Sequence, residues 1–173
     1  MRIALTAAVL LTALAACRGS DSAEASNSSL AVTAAATAAP VGKAEVARAM
    51  HERREGMEQI GKATKAAGRA LKSSTPDLAT IRTSAATIAR LAPKTGSWFP
   101  AGSGPEAGKT GAKSAIWQKP GDFAAKVRAF EQSAAAFNAA AQSGDRARIA
   151  ASFGALGNSC KACHQSYRSE TNH

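Results

Sequence analysis

The sequence predicts an all-α fold, an antiparallel four-helix bundle, on three observations. Apolar residues recur at alternating steps of four and three, helix-breaking residues fall between those runs, and no segment shows the two-residue alternation of a strand. The last stripe is the most regular: Ile149, Phe153, Leu156, Cys160, Cys163 and Tyr167 are spaced four, three, four, three, four. Phe123, Val127, Phe130, Ala134, Phe137 and Ala141 repeat the pattern, as do Leu78, Ile81, Ala85, Ile88 and Ala92. The first stripe, Val46, Met50, Met57, Ile60, Ala67 and Leu71, has polar residues at some expected apolar positions. Residues three and four apart share a helix face, and strict alternation is the seam of helices packed at a shallow angle. The body is also rich in Ala, Lys, Gln and Arg, which are good helix formers.

The punctuation orders these elements. Ser74-Thr75-Pro76 separates the first two stripes, with Thr75 expected as N-cap and Pro76 at the first helical position. Pro93 ends the second helix. Lys94 to Lys119, with glycines at 96, 102, 104, 108 and 111, is a long connection in which Ile116 and Trp117 are expected to fold back on the bundle. Pro120-Gly121-Asp122 starts the third helix, and Ser143-Gly144-Asp145 is a tight turn into the fourth. The stripes hold many alanines and few large residues. The helices are therefore expected to leave a wide gap near the C-terminal end, which a large planar apolar cofactor could fill.

The chain of 173 residues also carries a leader pattern. Met1-Arg2, the apolar run Ile3 to Leu14 and the small-residue close Leu14-Ala15-Ala16-Cys17 have the layout of a secretory signal, too short to span a bilayer. Leu-Ala-Ala-Cys also resembles a bacterial lipobox, so residues 1–16 are expected to be removed and Cys17 to carry lipid. Residues 17–42, rich in Ser, Ala, Thr and Asn, read as a flexible tether, and 43–173 as the folded bundle. The formal charge is +10, or +9 without Arg2. Export and the absence of a basic run with interleaved aromatics argue against nucleic acid. Steering of acidic partners is the expected use of the charge.

"GNSCKACHQSY", from Gly157 to Tyr167, concentrates two of three cysteines and one of three histidines. Cys160 and Cys163 share a face of the last helix, with His164 one step round. Zinc would need two further ligands, yet Cys17 lies in the leader region, His173 on the tail, and only His51 remains. A redox dithiol belongs at a helix start after a strand, and none is near. C-x-x-C-H ordinarily marks covalent haem attachment: each thiol forms a thioether with a haem vinyl group, and the histidine reaches the iron. Export fits, since such haem is attached outside the cytoplasm.

Over about Ala44 to Arg168 the chain resembles class II c-type cytochromes, the cytochrome c-prime family. The matching stretches are "SCKACHQSYR", "AIWQKPGDF", "SGD" and "WFPAGSG". The resemblance implies a four-helix bundle with one haem c near the C-terminus, Cys160 and Cys163 as covalent sites and His164 as axial iron ligand. Arg168 matches a basic position the family keeps near the haem, suited to a propionate. High-spin members leave the sixth iron position open and bind small gases, whereas low-spin members supply a methionine from the first helix and carry electrons. "MHERREGMEQIGKATK" is similar to the low-spin type, with Met50 at the ligand position and Met57 at a core position. The Arg that high-spin members have four residues before the distal position is here Val46.

The expected function is therefore a periplasmic, lipid-anchored monohaem cytochrome that carries single electrons through His164/Met50-ligated haem, serving redox proteins with acidic docking surfaces. The alternatives are a five-coordinate protein binding nitric oxide or other small gases and, outside the haem class, a structural metal or dithiol module. No acid/base set suggests an enzyme, and His51 reads as solvated. Pairing of two bundles through their first two helices, as in many relatives, is a further possibility.

Overall fold

The computed structural model describes residues 42–170. The expected leader, Cys17, the tether up to residue 41 and His173 lie outside the described residues. The chain divides into two units, 1–38 and 39–173, and the second holds everything described below. Five α-helices carry it: α1 (Lys43–Lys72), α2 (Leu78–Leu91), α3 (Ala115–Gln118), α4 (Pro120–Ser143) and α5 (Arg146–Tyr167). Four are the expected long helices, and the short α3 is the expected Ile116-Trp117 fold-back. Among the described residues there is no strand, only an isolated bridge between Ala112 and Arg168.

The helix boundaries follow local chemistry. The structure corrects the start of α2: its cap is Asp77, whose Oδ1 accepts from the N–H groups of Ala79 and Thr80 at 3.0 and 3.1 Å. Asp77 itself is extended, at φ −80° and ψ 95°, and its carboxylate satisfies two free N–H groups at once. Thr75 and Pro76 therefore belong to the connecting turn. Pro93 lies in a short 3₁₀ turn directly after α2, and Pro120 opens α4 where no N–H partner is required. Gly144, at φ 74°, reverses the chain after α4, and Asp145 caps α5 through Ala147 and Arg148.

Packing runs α1 on α2, α2 on α4 and α4 on α5, each pair antiparallel. Arg82 near the start of α2 reaches the carbonyl of Ala141 near the end of α4, while Gly96 beyond α2 lies beside Val127. Phe137 meets Phe153, and Phe123 meets Tyr167, along α4 and α5. It follows that α1 and α5 are antiparallel too.

The main core gathers Ile60, Ile81, Ile88, Phe130, Phe137, Ile149 and Leu156, with Trp98 added from the connection. A second, smaller cluster joins Ala112, Ile116, Phe123, Val127 and Tyr167. Fully burying each large side chain is worth about 1.5–3 kcal/mol. Cys160 borders the main cluster, Cys163 borders the second, and Phe99 packs against both. The motif thus stands at the junction of the two cores.

Candidate cofactor site

The geometry of the site starts from one contact. A Cβ added at Gly68 of α1 would lie 3.3 Å from the ring of Phe153 of α5, so the two helices meet there. Each residue turns an α-helix by about 100° and advances it about 1.5 Å. Going along α5, Cys160 and His164 come back to within about 20° of the Phe153 direction. They therefore face α1, while Cys163 turns toward α4. This accounts for the separate clusters that the two cysteines border.

Met57 is eleven residues before Gly68 and His164 eleven after Phe153. Both thus stand about 16.5 Å from the contact, on facing lines of antiparallel helices. Between them, a Cβ at Gly61 would meet nothing within 4 Å, and Gly61 is level with Cys160. Met57 is half-buried against the main core, as is Cys160. The two helices therefore flank an open slot, with Met57 and Gly61 on one wall and Cys160 and His164 on the other.

Met50 lies on the same face of α1 as Met57 but about 10.5 Å farther along. It is level with position 171, beyond the end of α5 at Tyr167. Its methyl group instead packs near Gly108 of the connection. On this register Met50, expected opposite His164, stands away from the level of His164 along the helix. His51 is exposed, its Nδ1 3.1 Å from Arg54 Nη2, and stands apart from the slot.

Arg53 is the residue that sequence reasoning missed. It interrupts the apolar stripe of α1 yet is 7% exposed, and it stands four residues before Met57. Its guanidinium donates to the Ser103 carbonyl at 3.1 Å and to Thr110 Oγ1 at 3.0 Å, and lies over the Phe99 ring at 4.9 Å. These partners are neutral, so a buried cation stands at the Arg168 end of the slot without a carboxylate. Burial pushes its pKa below the ordinary arginine value. A charged residue inside an apolar stripe is the signal that could have found it.

The connection closes this end. Lys113 N–H donates to the Tyr167 carbonyl at 2.9 Å, and Ser169 N–H to that of Gly111 at 2.8 Å. Tyr167 Oη donates to Asp122 Oδ2 at 2.5 Å, and this hydrogen bond, with burial, raises the phenol to about 12. Burial pushes the Cys160 thiol up, and burial followed by the neighbouring Cys160 charge raises Cys163. His164 lies on the open side, but desolvation, and then the charge of Arg168, lowers its pKa below the usual histidine value. Its neutral form, which can offer a nitrogen lone pair to a metal, is favoured.

Haem c fits this donor set. Two free thiols stand on adjoining faces beside an imidazole, at a slot where a glycine leaves open space and a buried cation lacks an anion. Among the described residues no group of three or more His, Cys, Asp or Glu could hold a metal ion by itself.

Comparison with known proteins gives consistent results. The family profile described as Cytochrome C' matches residues 48–168. A cytochrome c' of Alcaligenes xylosoxydans xylosoxydans is 41% identical over 71 residues, which cover 41% of this chain and 54% of that one. The solved cytochrome c prime of Shewanella frigidimarina superposes with a TM-score of 0.68 at 36% identity, covering 73% of this chain and 98% of that one. A nitric oxide complex of a variant cytochrome c prime from Alcaligenes xylosoxidans superposes with a TM-score of 0.66 at 27% identity, covering 73% and 97%.

Proposed function

Because this chain belongs to the cytochrome c' family, we propose that it holds one haem c in the slot between α1 and α5 and binds a small diatomic gas on the side facing Met57. Support comes from the family match and from a similar structure described as a nitric oxide complex. This departs from the expected electron carrier and favours its gas-binding alternative. When bound, haem supplies an iron that changes oxidation state by one electron and accepts a diatomic ligand.

The chain's own residues do the rest. Cys160 and Cys163 would hold the porphyrin through thioethers, from faces of α5 turned toward different cores. His164, favoured in its neutral form, would present a nitrogen lone pair to the iron. Arg53 and Arg168 would receive the two propionate carboxylates of the haem, and Arg53 would gain the anion that its burial lacks. Met57, Gly61 and Phe99 would line the slot with apolar surface and leave room for only a small ligand. The leader pattern supports export and anchoring through a lipidated Cys17. Among the described residues no helix is long and apolar enough to cross a membrane.

The observation that carries the proposal is the family match over residues 48–168, which spans the open slot beside Cys160 and His164. The test is carbon monoxide binding by the ferrous holoprotein, followed by absorbance: rapid, saturable binding supports gas capture, and a spectrum that ignores carbon monoxide overturns it. The Met57 placement favours a second reading, an electron carrier with iron held by His164 and Met57. A thioether stabilises ferrous iron and raises the potential. That alternative would show a far-red iron–sulfur charge-transfer band in the ferric protein, lost in Met57→Ala and kept in Met50→Ala.

A further inference from the structure

On the premise that haem sits in the slot, we infer that the face built from the last turns of α5, the first turns of α4 and the segment through α3 is a docking surface for an acidic electron-transfer protein. Residues 113–131 and 158–170 include six basic side chains, Lys113, Lys119, Lys126, Arg128, Lys161 and Arg168, against three acidic ones, Asp122, Glu131 and Glu170. The fold brings four of them, Lys113, Lys126, Lys161 and Arg168, to the motif. Lys113 Nζ donates to the Gln165 carbonyl at 3.2 Å, and Arg168 bridges to Ala112. Lys126 is close enough to act on the Cys163 thiol, and Lys161 follows Cys160 directly.

The positive charge here is poorly compensated. Asp122 keeps its charge, since the phenol of Tyr167 that donates to it is neutral, but makes no ion pair with these cations. The two side-chain ion pairs found among the described residues, Arg54–Glu55 and Lys62–Glu58, both lie on α1. Across the slot, residues 43–58 of α1 carry four basic and four acidic side chains and are neutral overall. The field is thus one-sided and centred where the thioethers would form. A one-signed surface of this kind speeds encounter with an oppositely charged partner by about 10- to 1,000-fold at low salt. These four cations come from separate elements beside the motif and form no basic run along one helix, which suits a compact acidic protein better than an extended polyanion. Such a partner would pass one electron to ferric iron, itself becoming oxidised by one electron, and so keep the iron ferrous for gas binding.

The test uses the holoprotein, its haem first confirmed by absorbance, so that loss of the premise is seen before any kinetics. The probe is fully reduced flavodoxin, an acidic flavoprotein, mixed in a stopped flow from low to high ionic strength. The second-order reduction rate should fall about tenfold or more as salt screens the surface. Lys126→Gln with Lys161→Gln should lower the low-salt rate several-fold and flatten the salt dependence. Arg146→Gln with Arg148→Gln removes equal charge from the far end of α5 and should leave the rate within about twofold. Equal effects of the two pairs, or a rate indifferent to salt, overturn the inference. Binding to phosphatidylglycerol vesicles through Lys126 and Lys161, with no salt-dependent reaction with flavodoxin, would assign the face to a lipid surface and overturn it too.

Discussion

Trp98→Ala should reverse the sign of Gly56→Ala. Gly56 sits inside α1, where replacing glycine with alanine ordinarily stabilises by about 0.8–1.0 kcal/mol. Here the indole of Trp98, 4% exposed, lies against the glycine. The three nearest ring atoms would all be closer than 3.0 Å to an added Cβ. Such overpacking costs about 1–3 kcal/mol, and a rigid buried ring puts this site at the upper end. Gly56→Ala should therefore destabilise by about 1–2 kcal/mol, roughly 3–8 °C in Tm for a domain of this size. Trp98→Ala alone should cost about 3–5 kcal/mol. In that background the obstacle is gone, and Gly56→Ala should stabilise by about 1 kcal/mol. Denaturant unfolding of the four holoproteins under one condition measures the cycle, whose coupling should be about 2–3 kcal/mol. A neutral or stabilising Gly56→Ala in the unmutated chain, or an equal loss with and without Trp98, would refute the packing argument. Trp98 also seats its neighbour Phe99, the ring beneath Arg53 at the end of the slot.

The other expectations concern the slot and its closure. Met57→Ala should relieve the side chain's obstruction of the slot and raise the carbon monoxide association rate of the ferrous protein by about tenfold, a barrier lower by about 1.4 kcal/mol, and Met50→Ala should leave it unchanged. Flash photolysis checks both, and an effect of Met50 alone would contradict the register. Tyr167 has its phenol raised to about 12 against an ordinary value near 10, so its contribution to stability is complete below pH about 10 and is lost as pH rises toward 12. Tyr167→Phe should be less stable at neutral pH and lack that alkaline fall, as denaturant unfolding on either side of pH 10 would show. Arg53→Met should cost the holoprotein more than the apoprotein, by about 1.5–3 kcal/mol, the worth of a hydrogen bond to a charged group. Equal losses in the two would remove Arg53 from carboxylate binding.

The features legible in the sequence were periodic or local. The α4 face, Phe123 to Ala141, is buried at every position the spacing selects, because an unbroken apolar heptad seam needs no tertiary information. Cys160, Cys163 and His164 were found because their chemistry lies in five consecutive residues. The face of α1 was harder. Counting followed Val46, Met50 and Leu71, whereas the buried set runs through Ala49, Gly56 and Ala70, small residues that admit close neighbours such as Trp98. Met50 and Met57 are one heptad apart and share a face, so sequence periodicity gives them equal claim. Only the Gly68–Phe153 contact sets the register of α1 against α5 and puts Met57 level with His164. Counting back four residues from Met50 found Val46, while the same step from Met57 finds Arg53. At α2, the proline signal at Pro76 suggested an earlier start, but Asp77 offers the better-placed acceptor.

The most direct measurement is mass spectrometry of the mature protein, purified from a host that attaches c-type haem. The intact mass should be that of the polypeptide plus one haem, retained through acid-acetone extraction and confined on digestion to the peptide bearing Cys160, Cys163 and His164. A bare polypeptide mass with both thiols free to alkylate would contradict the account.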